Sequence, residues 1–76
     1  MTLTVRVFAR YRQVLGFDLA EVPLPDPPKL GRLLEDSRFA PLPQEALLAV
    51  NQRFAGPGAV LQDGDEVALM PPVSGG

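Results

Sequence analysis

The sequence predicts an α+β roll, a mixed sheet of four or five strands with two helices on one face. Three observations carry that expectation. Residues 2–8 alternate strictly between apolar and polar. Two short stretches, 9–15 and 30–34, change to helical spacing, and a last alternating strand over residues 66–70 follows an Asp63-Gly64 turn. Strand and helix segments are short, and no internal repeat or second domain interrupts the 76 residues.

Each element has its own signal. In the first strand Leu3, Val5 and Val7 share one face, with Thr2, Thr4 and Arg6 on the other. Phe8, Tyr11 and Leu15 then fall at helical spacing with Val14 beside them, while Arg10, Arg12 and Gln13 point away as a solvated face, and Gly16 stands where a C-cap glycine belongs. Residues 19–24 read as a second strand with Ala20, Val22 and Leu24 on one face, and Pro23 places it at a sheet edge or at its own end. Asp26 before Pro27-Pro28 resembles an N-cap with prolines in the first turn, leading to the Leu30, Leu33, Leu34 stripe of a second helix. Gly31 inside that stripe costs about 1 kcal/mol relative to alanine.

The second half is built of strands. Residues 37–44, with Pro41 and Pro43, form a connection, and Leu47-Leu48-Ala49-Val50 follows as a short buried strand. Asn51-Gln52 turns the chain into the brief partner strand Arg53-Phe54-Ala55, and Gly56-Pro57-Gly58 breaks it again. In the last strand Val67 and Leu69 share one face, Ala68 and Met70 the other. Asp63, Asp65 and Glu66 read as turn formers rather than as a metal or acid–base site, so no metal site is assigned.

Composition removes most chemistry from the chain itself. It has no cysteine and no histidine, which excludes a disulfide scaffold, a CxxC redox site, a Cys/His zinc site and a Ser–His–Asp or Cys–His nucleophile. No GxxxxGK[ST] loop is present to hold ATP phosphates. Seven basic and nine acidic residues give a net charge of −2, and the basic ones are scattered, so no nucleic-acid partner is expected. No apolar run approaches the ~20 residues of a membrane span and no signal-like segment opens the chain, so no membrane partner and a cytoplasmic location are expected.

Function is concentrated in Pro71-Pro72-Val73-Ser74-Gly75-Gly76. Two prolines bar both a helix and a centrally paired strand, so residues 1–70 are expected to form the domain and 71–76 an extended tail. Six extended residues reach roughly 20 Å at about 3.3 Å each. Two glycines leave its tip without side chains, suited to a narrow site that a Cβ would block. Val73 has little core to join and is expected to pack against a partner. Met70, next to the tail, and Phe54 are expected interface residues.

The run Val50-Asn51-Gln52-Arg53, then Asp63-Gly64-Asp65-Glu66-Val67 leading into Pro71-Pro72-Val73-Ser74-Gly75-Gly76, resembles the small subunits of molybdopterin synthase, the MoaD-like sulfur carriers. Phe8-Ala9-Arg10-Tyr11-Arg12-Gln13-Val14-Leu15-Gly16 is similar to that family's first helix. These segments cover about half of the chain. The Pro-Pro favours the molybdopterin branch over the thiamine branch, whereas Gln52 stands where the family often has glycine and Pro27-Pro28 is an unusual start for the second helix.

The resemblance implies a ubiquitin-like β-grasp fold and a reaction cycle. An E1-like adenylyltransferase would use ATP to adenylate the Gly76 carboxylate, and sulfur would replace the adenylate to give a C-terminal 1-thioglycine. Pro71, Pro72, Val73, Ser74 and Gly75 would insert into the large subunit of the synthase, where sulfur passes to a pyranopterin precursor. The expected assembly is a heterotetramer of two small and two large subunits, with no bound cofactor on this chain and with catalytic residues mainly on the large subunit. Whether the small subunit counts as an enzyme then depends on counting it with its partner. The residues fit such a cycle: without cysteine the chain cannot hold a persulfide, and a carboxylate is inert until an acyl-adenylate supplies a leaving group. Transfer to thiamine thiazole or tRNA, and conjugation of Gly76 to lysines as a protein modifier, remain open alternatives.

Overall fold

The computed structural model describes residues 1–72. Five strands, β1 (Thr2–Val7), β2 (Leu19–Pro23), β3 (Leu47–Val50), β4 (Arg53–Phe54) and β5 (Glu66–Met70), form one sheet in the order β2-β1-β5-β3-β4. β1 and β5 run parallel at its centre and the remaining pairings are antiparallel, so the sheet is mixed as expected. The register sets Val5 beside Val67 and Val7 beside Leu69, and all four are 3% exposed or less. Ala20 and Val22 of β2 continue this inner face opposite Val5 and Leu3. Pro23 is at the end of an edge strand, where its missing N–H costs no central ladder bond.

Two short helices, α1 (Tyr11–Leu15) and α2 (Leu30–Leu33), cover the inner face, and Tyr11, Leu30 and Leu33 join the same core cluster as Leu3, Val5 and Leu69. Burying a leucine or valine side chain there stabilises the fold by about 1.5–3 kcal/mol each. α1 ends as its sequence requires: Gly16 takes a left-handed conformation (φ 87°) and its N–H bonds the Arg12 carbonyl at 2.9 Å.

Four expectations are corrected. Phe8 and Val14 do not join the core through α1; both are more than 40% exposed. β1 ends at Val7 and helical geometry begins only at Tyr11, so Phe8 keeps the strand's alternation and faces outward with Arg6. α2 begins at Leu30 rather than at the prolines, with Lys29, not Asp26, at its N-cap position and no side-chain cap. Its first donors are satisfied by tertiary contacts instead: Leu30 N–H bonds the Ala59 carbonyl at 2.9 Å and Gly31 N–H the Pro57 carbonyl at 2.8 Å. Gly31 is what permits this approach, since a Cβ would stand 3.1 Å from both the Pro57 oxygen and its Cβ.

Finally, the 37–44 connection is not only a loop. It contains a 3-10 turn, Ser37–Phe39, whose Phe39 is 2% exposed and meets Phe17 edge-on at 6.2 Å. Asp36 caps that turn by accepting the Arg38 N–H at 2.9 Å, and this backbone bond, helped by the Arg38 guanidinium, holds the Asp36 carboxyl below its usual range. The 47–50 strand is half-buried apart from Ala49.

Candidate functional site: the uncovered face of the sheet

The face of the sheet opposite the helices carries no covering layer among the described residues. Strand parity decides what it presents. β1 and β5 turn Arg6, Glu66, Ala68 and Met70 outward, with Phe8 beyond the end of β1, and the antiparallel registers Ala49↔Ala68 and Ala49↔Phe54 bring β3 and β4 into the same surface. Together with Gln52 these residues line an open groove of about 450 Å³. Small side chains form its floor, Ala49 and Ala68 being 4% and 8% exposed, and large ones its walls. Phe54 is 75% exposed, far beyond what burial against its own chain leaves, and Leu19 of β2 lies on the same face at 53%.

The groove has one charged feature. Arg6 Nε donates to Glu66 Oε2 at 2.8 Å across the parallel β1–β5 pair, neutralising both charges at the apolar wall. Both partners are partly solvated, so the pair orients more than it stabilises. No Ser–His or Cys–His arrangement is possible here, and among the described residues no group of three or more metal-ligating side chains gathers. An exposed apolar groove of this kind is suited to contact with another macromolecule.

A hydrogen-bonded clamp holds β5 in position. Thr2 N–H donates to Asp63 Oδ1 at 2.8 Å, Gln62 N–H to Asp65 Oδ2 at 2.8 Å, and Thr4 N–H to the Asp65 carbonyl at 3.0 Å. Asn51 ties the β3–β4 turn to the same clamp: its Nδ2 donates to Asp65 Oδ1 at 3.0 Å and its Oδ1 accepts the Glu66 N–H at 2.9 Å. Asp63 and Asp65 thus spend their carboxylate oxygens on backbone donors and Asn51, the turn-forming role expected of them, whereas Glu66 lies in β5 and pairs with Arg6 instead.

The structure brings two of the expected site residues together. Met70 ends β5 opposite Leu47 and Phe54 lies on β4 opposite Ala49, and both line the groove. Pro71 and Pro72 continue from β5, half-buried and outside any strand. Val73, Ser74, Gly75 and Gly76 lie outside the described residues. Sequence reasoning missed Arg6, Phe8, Ala49, Gln52, Glu66 and Ala68 as neighbours of Met70 and Phe54. The signal that finds most of them is the β1–β5 register, which alternation within one strand does not supply.

Residues 5–76 match the model of the ThiS family. The chain belongs to that family. The molybdopterin synthase sulfur carrier subunit of Escherichia coli is 35% identical over 80 positions, covering 97% of this chain and 99% of that protein. Among solved structures, a putative molybdopterin converting factor subunit 1 from Pyrococcus furiosus superposes with a TM-score of 0.84 at 30% identity, over 96% of this chain and 99% of its own. SAMP1 of Haloferax volcanii, a small archaeal modifier protein, does so with a TM-score of 0.84 at 25% identity over both full chains. The ThiS-family fold of this chain is therefore the ubiquitin-like β-grasp, and its likeness to MoaD-like small subunits extends over nearly the whole length rather than the two ends alone.

Proposed function

We propose that this ThiS-family chain is the sulfur carrier of molybdenum cofactor biosynthesis, loaded as a thiocarboxylate on Gly76. The observation that carries the reading is the near full-length match to the Escherichia coli sulfur carrier subunit, beside a ThiS-family match that runs to residue 76 of this chain. The fold supports it. β5 is the middle strand of the sheet, anchored by Val67 and Leu69 at 0% exposure, and it leads directly into Pro71 and Pro72. Residues 71–76 act as the tail and residues 1–70 as its rigid base.

In this reading an E1-like adenylyltransferase joins the Gly76 carboxylate to AMP and releases pyrophosphate. A sulfur nucleophile then displaces AMP, leaving a thiocarboxylate. The large subunit of molybdopterin synthase receives the tail, as two small and two large subunits, in the cytoplasm; the thiocarboxylate sulfur passes to the pyranopterin precursor, and water restores the carboxylate. This chain contributes the acyl group and the docking surface, and the large subunit contributes the catalytic side chains.

Incubation with the E1-like enzyme, ATP and a sulfur donor tests the first half. Mass spectrometry is expected to show one oxygen exchanged for sulfur at Gly76, and an unchanged mass beside an active enzyme rejects the reading. The second half is tested by sulfur transfer to the precursor once the large subunit is added. The likeness to SAMP1 favours one other reading, conjugation of Gly76 to protein lysines. Target lysines joined to the C-terminal peptide of this chain after protease digestion, in cells where no thiocarboxylate is found, would establish that reading instead.

A further inference from the structure

Two residues of the β3–β4 turn adopt left-handed backbone, Asn51 at φ 51° and Gln52 at φ 70°. Val50 pairs with Arg53, so these two form a two-residue hairpin turn, the kind that demands positive φ at both positions and favours Asn-Gly. Asn51 suits its place, because asparagine tolerates this conformation and its carboxamide joins the β5 clamp through Asp65 and Glu66. Gln52 has no such account. A side chain with a Cβ is strained there where glycine is not, and the Gln52 carboxamide makes no hydrogen bond to any described residue. It instead lines the groove beside Arg6, Phe8, Phe54 and Met70. Backbone strain without an internal offset, at the rim of an exposed apolar groove, is the pattern of a contact residue.

We infer that Gln52 is a specificity-determining contact for the protein that receives the tail. This rests on the sulfur-carrier reading, which makes that protein the large subunit of the synthase. Pro71 follows Met70, a groove residue, so a protein that grips residues 71–76 is within reach of the groove as well. The groove offers an apolar side chain of that protein a seat between Phe8, Phe54 and Met70 over the alanine floor. Beside that seat Gln52 offers a carboxamide able to donate and accept at once, the complement of a backbone peptide group. The hydrogen bond forms only in the complex, where water is excluded from the groove.

Gln52→Ala and Gln52→Gly separate side chain from backbone. Alanine removes the carboxamide and keeps the strain; glycine removes both. Binding of each to the cognate large subunit, measured by calorimetry, is expected to weaken about tenfold. Gln52→Gly is expected to raise Tm by about 4 °C, with Gln52→Ala near the parent value. Loss of affinity in a variant that has gained stability is not what a purely structural residue would produce. Parent-like affinity for Gln52→Ala overturns the inference, as does a Gln52→Gly Tm no higher than the parent's. An effect confined to loading by the E1-like enzyme, with large-subunit binding intact, also overturns it. Failure of the parent chain itself to bind the large subunit rejects the carrier reading, and the inference with it.

Discussion

The two faces of one sheet obey the same alternation and have opposite fates. On the inner face Val5, Val7, Val67 and Leu69 are sealed beneath α1, α2 and the buried Leu61. On the outer face Phe8 and Phe54 stand open beside Met70, over a floor of two alanines. β5 contributes to both, with Val67 and Leu69 on one side and Ala68 and Met70 on the other. The difference separates what the fold needs from what a partner needs: apolar area on the inner face stabilises the chain alone, whereas area on the outer face yields free energy only when something covers it.

The largest expected effect tests the inner face. Leu69→Ala, at a fully buried central position, is expected to cost about 3 kcal/mol of unfolding free energy in urea denaturation. A domain of this size holds roughly 4–11 kcal/mol in total, so the variant should be close to its limit of folding. A cost below about 1 kcal/mol would show that the inner face is loosely packed and that the distinction between faces is weaker than the burial suggests.

The outer face is tested by the converse. Phe54→Ala removes a ring that is 75% exposed, and its unfolding free energy should stay within about 0.5 kcal/mol of the parent. Affinity for the large subunit is expected to fall by about 2 kcal/mol, the loss typical of an aromatic anchor at an interface. Calorimetric titration of the folded variant measures this directly. If stability falls and binding does not, Phe54 belongs with the core and the groove is not the docking surface.

Much of this division was legible in the sequence. Strict alternation located β1 and assigned its faces, Pro23 marked an edge strand, Gly16 marked the end of α1, and Asp63-Gly64 led into β5. What escaped was information held between elements. Phe8 satisfies a strand period and a helix period at once, and only the delay of α1 until Tyr11 settles that it faces outward. Asp26 looked like a cap because the carbonyls of Pro57 and Ala59, which serve α2 instead, are nearly thirty residues away along the chain. Phe39 read as part of a loop because one buried aromatic in a proline-rich connection has no period. Met70 and Phe54 stand sixteen residues apart in the sequence, and their meeting in one groove depends on β5 pairing with β3 and β3 with β4.

The smallest expected effect concerns a place where the inner face departs from its own rule. Tyr11 is 1% exposed and its hydroxyl, fully buried, has no hydrogen-bond partner among the described residues. Its ring serves the core, and the Arg10 guanidinium lies 5.4 Å from the ring centroid, an arrangement that depends on the ring and not on the oxygen. A buried hydroxyl without a partner loses its hydration and gains nothing in exchange, which costs about 1–3 kcal/mol relative to a satisfied one. Tyr11→Phe keeps the ring, the packing volume and the stacking, and removes only that oxygen. Its unfolding free energy is expected to rise by up to about 1 kcal/mol, read in the same urea titration as Leu69→Ala. Because the substitution lies on the inner layer, its affinity for the large subunit should equal the parent's. A loss of about 1 kcal/mol instead would show that the hydroxyl is hydrogen-bonded in solution, and that the inner layer, like the outer, contains a polar group with a partner of its own.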